Sequence, residues 1–334
     1  MRNSERWDLR MKTCRIKGFG YAKAKRKVTN DDIAQVVDTN DEWISSRTGI
    51  KSRYISEEEN TSDLAVRAAR MAIDHSAVAY KDIDLIIVAT FTPDYTTPST
   101  ACMVQQKLGM NEQKVMAFDI NVACSGFLYA LEVAHSLLAC DMAHSALVIG
   151  AEVISKQLDW EDRGTCIIFA DGAGAAVVKQ EPCDNRMLHF ASSKGDHEGI
   201  IHADAPLPRA LFSKQVYTPT LVRMNGSETF RFAVNAMKEA IEDVLSQANV
   251  SLDEIDWIVP HQANLRIINN VCRRMHINME KVYINIAETG NTSAASIPLA
   301  LGEMQEKGLL KEGMKIVLTG FGAGFCWAGA YIEL

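Results

Sequence analysis

The segment Ile83-Asp84-Leu85-Ile86-Ile87-Val88 is read again as Ile255-Asp256-Trp257-Ile258-Val259-Pro260, 172 residues further along the chain. Each copy follows a stretch with apolar residues at i, i+3, i+4 and i+7, which predicts amphipathic helices over 61–76 and 227–248. Ala146-Leu147-Val148-Ile149-Gly150 likewise recurs within Lys315-Ile316-Val317-Leu318-Thr319-Gly320. Between these landmarks each half has a run of small residues that opens an apolar helix. In the first half it is Ala123-Cys124-Ser125-Gly126, and in the second Asn291-Thr292-Ser293-Ala294. Several segments in one order at nearly one offset indicate an internal duplication. Strand runs that are apolar throughout belong in sheets covered on both faces. Two βαβ-rich halves, over 12–185 and 186–334, each with a central helix, predict an α/β fold of five layers, αβαβα.

The 334 residues are 47% hydrophobic and 23% charged, an ordinary globular composition. A chain of this length buries about three-quarters of its unfolded surface, enough for two cores. Lys plus Arg number 35 against 42 Asp plus Glu, and the net charge of −7 argues against a nucleic-acid partner. No apolar run approaches the roughly 18 residues of a membrane span, so no membrane association is expected. The N-terminus, MRNSERWDLRMKTCRIKG, has no apolar signal core, which predicts a cytoplasmic protein. Met11 is a second candidate start, with residues 1–11 expected as a poorly ordered extension. The eight cysteines are scattered without a Cys-x-x-Cys pair, the pattern of neither a disulfide framework nor a zinc site. Asp196, His197, Glu198, His202 and Asp204 cluster without a helical histidine pair, and no metal is expected there. The run Lys23, Lys25, Arg26 and Lys27 reads as a solvated loop.

Cys124 lies between an apolar approach and a helix start. A thiol at a helix N-terminus feels the positive dipole end, which favours thiolate, so Cys124 is a candidate nucleophile; the alternative is a buried structural cysteine. His261 follows directly on the repeated strand, at the edge where α/β folds place ligands, and Gln262-Ala263-Asn264 are expected to open a helix. A capped surface histidine fits that position equally. The Asn291 amide is a candidate donor to a developing oxyanion, or an ordinary helix cap. The run Gly320-Phe321-Gly322-Ala323-Gly324-Phe325 lacks dinucleotide-loop spacing and reads as a glycine-rich turn whose backbone N–H groups face an anion.

In combination, DTNDEWISSRTGI (38–50), NVACSGF (121–127), DRGTCIIFADGAGAAV (162–177), VPHQANLRI (259–267), GNTSAASIPLAL (290–301) and GFGAGFCWAG (320–329) resemble the β-ketoacyl-acyl carrier protein synthase III family of thiolase-fold condensing enzymes. The resemblance runs from about Lys12 to the C-terminus. It implies Cys124 as nucleophile, His261 and Asn291 as the decarboxylation pair, and the backbone N–H groups of Cys124 and Ala323 as oxyanion donors. It maps coenzyme A contacts to Thr39, Trp43, Arg47, Arg163, Gly226 and Asn264, with Trp43 and Arg163 sandwiching the adenine. Where the family often has a bulky Phe before Pro98, this chain has Thr97, which implies a roomier acyl pocket. Ala323 stands where the family often has Gly, and Cys326 where it often has Thr.

The implied reaction is decarboxylative condensation of an acyl-CoA primer with malonyl-acyl carrier protein, through an acyl-Cys124 intermediate, to initiate fatty-acid synthesis. It needs no cofactor, since acyl-CoA is a substrate, and the implied assembly is a homodimer. Arg266, Arg273 and Arg274, with Arg231 nearby, form a candidate docking patch for the acidic carrier protein. The alternatives are a condensing enzyme of secondary metabolism, of polyketide or quinolone type; a thiolase, with Cys326 as second thiol; and a non-catalytic acyl-CoA-binding subunit.

Overall fold

The computed structural model describes residues 12–196, 198–204 and 221–334. The extension expected over 1–11 and His197 lie outside the described residues. Two sheets carry the chain. The first has five strands in the order Cys14–Lys23, Gly172–Gln180, Ser145–Glu152, Leu85–Ala89, Met116–Ile120. The second has four in the order Trp257–Pro260, Lys315–Gly322, Cys326–Glu333, Met187–Ser193. The duplication is visible in the pairing. Leu85–Ala89 lies parallel to Ser145–Glu152, as Trp257–Pro260 does to Lys315–Gly322, and each second member pairs antiparallel with the strand that follows it. In the second half the counterpart of Met116–Ile120 is reduced to one parallel bridge, Ile258 to Val282.

The five layers follow from which faces are apolar. Helix Thr61–Ser76 covers the outer face of the first sheet through Leu64, Ala68, Ala72 and Ile73. Helix Gly226–Ala248 covers the outer face of the second through Val234, Met237, Ile241 and Val244. Between the sheets lie Gly126–Ala139 and Ser296–Glu306, whose Leu128, Leu131, Ile297 and Leu301 share one core with both inner faces. Leu85, Ile86, Ile87 and Val88 are fully buried, at about 1.5–3 kcal/mol each. A strand that spends both faces on burial has no polar side and sits at the centre of its sheet.

The central helices are brought together by a glycine. A Cβ at Gly150 would lie 2.1 Å from the Ala294 carbonyl oxygen, so no other residue lets the turn before Ser296–Glu306 rest on that strand. A Cβ at Gly126 would lie 3.4 Å from that of Ala294, and the two helix starts therefore touch.

Three local expectations are corrected. The Lys23–Lys27 run is no loop: it ends strand Cys14–Lys23 and begins strand Arg26–Thr29, with Lys23 paired to Glu303 at 2.5 Å. The helix after His261 starts at Leu265, because Asn264 caps it by accepting from the Arg266 N–H. The second amphipathic helix starts at Gly226, one residue early, behind Asn225 as cap. Among the described residues no helix is long and apolar enough to cross a membrane.

Candidate active site

Two matching turns build the site. Asn121 Oδ1 accepts from the Ala123 N–H at 3.3 Å, and Asn291 Oδ1 accepts from the Ser293 N–H at 2.8 Å. Ala123 and Ser293 both take left-handed backbone, with φ of 45° and 51°, and each begins a short 3-10 turn that runs into a central helix. The asparagine caps hold a conformation that costs a non-glycine residue about 1 kcal/mol or more. The structural correspondence is therefore Asn121 with Asn291 and Cys124 with Ala294. The sequence reading set the two stretches at matching helix entrances, and the two capped turns supply their register.

Cys124 sits in the first turn, with the end of strand Lys315–Gly322 against its backbone. A Cβ at Gly322 would lie 2.7 Å from the Cys124 nitrogen. Ala323 follows at once, in the hairpin turn before Cys326–Glu333, so its backbone is next to that of Cys124. The sequence expectation that the helix start favours thiolate is corrected. Burial pushes the resting Cys124 thiol up to about 12, Glu152 adds to the rise, and the Ser293 hydroxyl partly opposes it.

His261 leaves the second sheet at the end of Trp257–Pro260. Its N–H donates to the Thr319 carbonyl at 2.8 Å, and its ring meets Phe321 edge-on at 5.6 Å. It is 1% exposed, not the capped surface histidine that its sequence position equally allowed, and its Nδ1 has no hydrogen-bond partner among the described residues. Burial lowers its pKa to about 3, so the imidazole is neutral at neutral pH. Asn291 is 5% exposed and fixed through its backbone, donating to the Ile168 carbonyl at 3.0 Å and accepting from the Ala170 N–H at 2.9 Å. With Oδ1 spent on Ser293, its amide has its NH2 hydrogens to offer.

Two functional supports escaped the sequence reading. Gln262 is buried, and its Nε2 donates to the carbonyls of Pro260 at 2.9 Å and Tyr283 at 3.1 Å. Its Oε1 accepts from the Asn285 and Ile286 N–H groups at 3.1 and 3.2 Å. One side chain thus ties the His261 strand to the segment leading to Asn291. Its only sequence signal was a polar residue directly after His261. Glu152 ends strand Ser145–Glu152 fully buried, accepting from the Thr90 hydroxyl at 3.0 Å and from the Thr92 N–H at 3.1 Å. Burial raises it to about 8.

The expected coenzyme contacts gather only in part. Trp43 and Arg47 lie on helix Asp41–Thr48, after Thr39, and the Arg47 and Arg163 guanidinium carbons stand 4.3 and 4.9 Å from the Trp43 ring centroid. Arg163 rests directly on Trp43, so a base can lie between them only after they part. Asn264 Nδ2 donates to the Arg47 carbonyl at 3.0 Å while its Oδ1 caps the next helix, which makes it a brace between the two helices. Gly226 is exposed at a helix start with open space around it. Thr97 is exposed in the loop after Leu85–Ala89. Arg266, Arg273, Arg274 and Arg231 are all exposed, with Arg231 held by Glu228 at 2.6 Å. Asp196 accepts from the Ile200 N–H at 2.7 Å and the His202 ring meets the Gly199 carbonyl at 2.6 Å, contacts of a local turn.

Family models described as 3-oxoacyl-(acyl-carrier-protein) synthase III and its C-terminal part match residues 118–195 and 245–334. A β-ketoacyl-(acyl-carrier-protein) synthase III of Clostridium perfringens is 46% identical over 326 residues, covering 97% of this chain and all of the relative. The crystal structure of 3-oxoacyl-(acyl-carrier-protein) synthase III from Aquifex aeolicus superposes with a TM-score of 0.90 at 42% identity, covering 96% of this chain and all of that one. A priming β-ketosynthase of a polyketide pathway also reaches 0.90, at 32% identity and 97% coverage of both chains.

The low pKa of His261 has a consequence for stability. The unfolded chain takes up the proton as pH falls below about 6.5, whereas the folded chain does so only near 3. The contribution of the neutral ring is complete above about 6.5 and is lost as pH falls through about 3, at up to about 1.4 kcal/mol per pH unit. His261→Gln removes this titration. Urea midpoints measured from pH 7 to 4 should fall less steeply in the variant than in the parent, and parallel curves would show that His261 charges normally when folded.

Proposed function

The chain belongs to the β-ketoacyl-acyl carrier protein synthase III family, and from that membership we propose that it condenses an acyl-CoA primer with malonyl-acyl carrier protein to give 3-oxoacyl-acyl carrier protein, the initiating step of fatty-acid synthesis, as a cytoplasmic enzyme. The observation that carries this reading is the meeting of the two helix starts at Gly126 and Ala294. It puts Cys124 from one half beside the Asn291 turn from the other, with His261 on the adjoining strand.

In the first half-reaction the Cys124 sulfur bonds to the thioester carbon of acyl-CoA. The carbon–sulfur bond to coenzyme A breaks, and the departing sulfur takes up a proton. The N–H groups of Cys124 and Ala323 hold the oxyanion. In the second, His261 and the Asn291 NH2 donate to the malonyl thioester oxygen. The bond to CO2 breaks, its electron pair becomes the enolate, and that carbon bonds to the acyl carbon as the Cys124 sulfur is released. A neutral imidazole suits this role, since it donates one N–H without needing an added proton. No step changes an oxidation state. Higher identity to fatty-acid relatives than to the polyketide ketosynthase favours primary metabolism. A thiolase mechanism is disfavoured because that reaction needs a second cysteine as base where the turn facing Cys124 offers Asn291.

The two half-reactions separate the roles. Cys124→Ser should abolish acyl transfer from CoA while CO2 release from malonyl-acyl carrier protein stays measurable. His261→Ala should leave Cys124 acylation intact and lower condensation about 10²-fold or more. Undiminished condensation in His261→Ala would remove that residue from the mechanism.

Arg266 and Arg273, seven residues apart on one face of helix Leu265–Met275, supply carrier docking in a chain of net charge −7. Arg266→Glu should raise the apparent KM for malonyl-acyl carrier protein, most at low salt, with acylation by acyl-CoA unaffected. Equal losses in both half-reactions would dismiss the docking face.

A second copy of the chain completes the assembly. Strand Met116–Ile120 has a free edge with Met116 42% exposed, and Tyr95 near Thr97 is 57% exposed. Thr97, exposed two residues from Tyr95, governs primer length in that assembly. Thr97→Phe should narrow the preference toward acetyl-CoA in a species of twice the chain mass by light scattering. A monomeric parent, or an unchanged primer panel, would contradict this.

A further inference from the structure

Ser293 is almost fully buried, and its hydroxyl has no well-aligned hydrogen bond to any described residue. A covered hydroxyl without a partner costs about 1–3 kcal/mol, so the fold retains it against a gradient. The backbone does not require a serine there. Ala123 occupies the matching place in the first half with nearly the same left-handed φ, 45° against 51°, and the cap from Asn291 uses the Ser293 N–H rather than its side chain. The hydroxyl is therefore an addition made in one half only, and it is made where the two turns touch. Its neighbour across that contact is the Ala123–Ser125 turn that carries Cys124, and the Ser293 hydroxyl works against the burial that holds the thiol up.

We propose that the Ser293 hydroxyl donates a hydrogen bond to the Cys124 sulfur as negative charge develops on it, making Ser293 a further catalytic residue of the acylation half-reaction. The proposal rests on Cys124 being the nucleophile. In the resting chain the sulfur carries its proton and is a weak acceptor, so the pair is poorly aligned. As the thiol ionises the sulfur becomes a strong acceptor and the bond tightens, as catalytic hydrogen bonds often do after the resting state. The surroundings make such a donor necessary. His261 is neutral and supplies no cationic partner, and burial disfavours charge on the sulfur. During acylation the sulfur–carbon bond forms, the bond to the coenzyme A sulfur breaks, and the proton lost by Cys124 is balanced by the one gained by coenzyme A. Ser293 keeps its own proton throughout.

The test is the pH profile of Cys124 alkylation by iodoacetamide, located by peptide mass spectrometry, in the full chain and in Ser293→Ala and Ser293→Gly. Loss of a hydrogen bond to a charged sulfur should slow alkylation about tenfold at each pH from about 7 to 10, below the titration of the thiol itself. Glycine relaxes the left-handed backbone and alanine does not, so equal slowing in the two variants assigns the effect to the hydroxyl. Acylation by acyl-CoA should fall by a similar factor while CO2 release from malonyl-acyl carrier protein changes less than twofold. An unchanged profile with Cys124 still the labelled residue would overturn the role of Ser293. Equal losses in both half-reactions would reduce Ser293 to a structural residue. If Cys124→Ala keeps full acyl transfer, the nucleophile assignment itself fails, and this proposal with it.

Discussion

The Ala294 carbonyl lies where a side chain on Gly150 would begin, and this backbone-on-strand contact positions the rest of the site. Because the turn at 293–295 rests directly on strand Ser145–Glu152, the second central helix starts within van der Waals reach of the first. Gly322 repeats the device from the other sheet by laying a strand end on the Cys124 backbone. Main-chain contacts of this kind cannot relax by changing a rotamer. They fix Cys124, Ala323 and Asn291 more tightly than side-chain packing alone would, and catalysis of acyl transfer depends on donors held in place before charge develops.

Electrostatically the site is an uncharged enclosure. Burial holds the Cys124 thiol up, the His261 imidazole down and the Glu152 carboxyl well above its ordinary range, so each rests near neutrality. The thioester group is neutral, and the charge that develops on its oxygen is transient. Neutral resting groups around the thiol let a few N–H and O–H dipoles dominate when that charge appears. Permanent positive charges lie on the Trp43 mouth, along the exposed face of Leu265–Met275, and on the fully buried Arg53, which donates to the Asn30 side chain and the Ile167 carbonyl.

Much of the architecture was legible because its signals are periodic. The 61–76 helix was read with the right bounds, and the strands around Leu85 and Ile258 stood out as apolar runs copied at one spacing. Cys124, His261 and Asn291 were singled out because they flank those copies and match family motifs. What escaped depends on contacts distant in sequence. Gln262 gains its meaning from Tyr283 and Asn285, and the burial of His261 from Phe321 and its neighbours. The acidity expected of Cys124 failed for a related reason: a helix start is a local feature, whereas desolvation is set by everything packed around it.

The registered match of Asn121 with Asn291 bears on descent. The first half alone still carries, three positions apart, both the asparagine and the cysteine that the working site draws from different halves. By rotational symmetry, two identical copies of such a half, packed at their helix starts, would present a thiol opposite an asparagine twice over. Fusion into one polypeptide frees one of the two stations from selection for chemistry. In this chain the spare thiol position is Ala294, whose carbonyl now rests on Gly150, and the spare asparagine survives as a turn cap at the exposed end of strand Met116–Ile120.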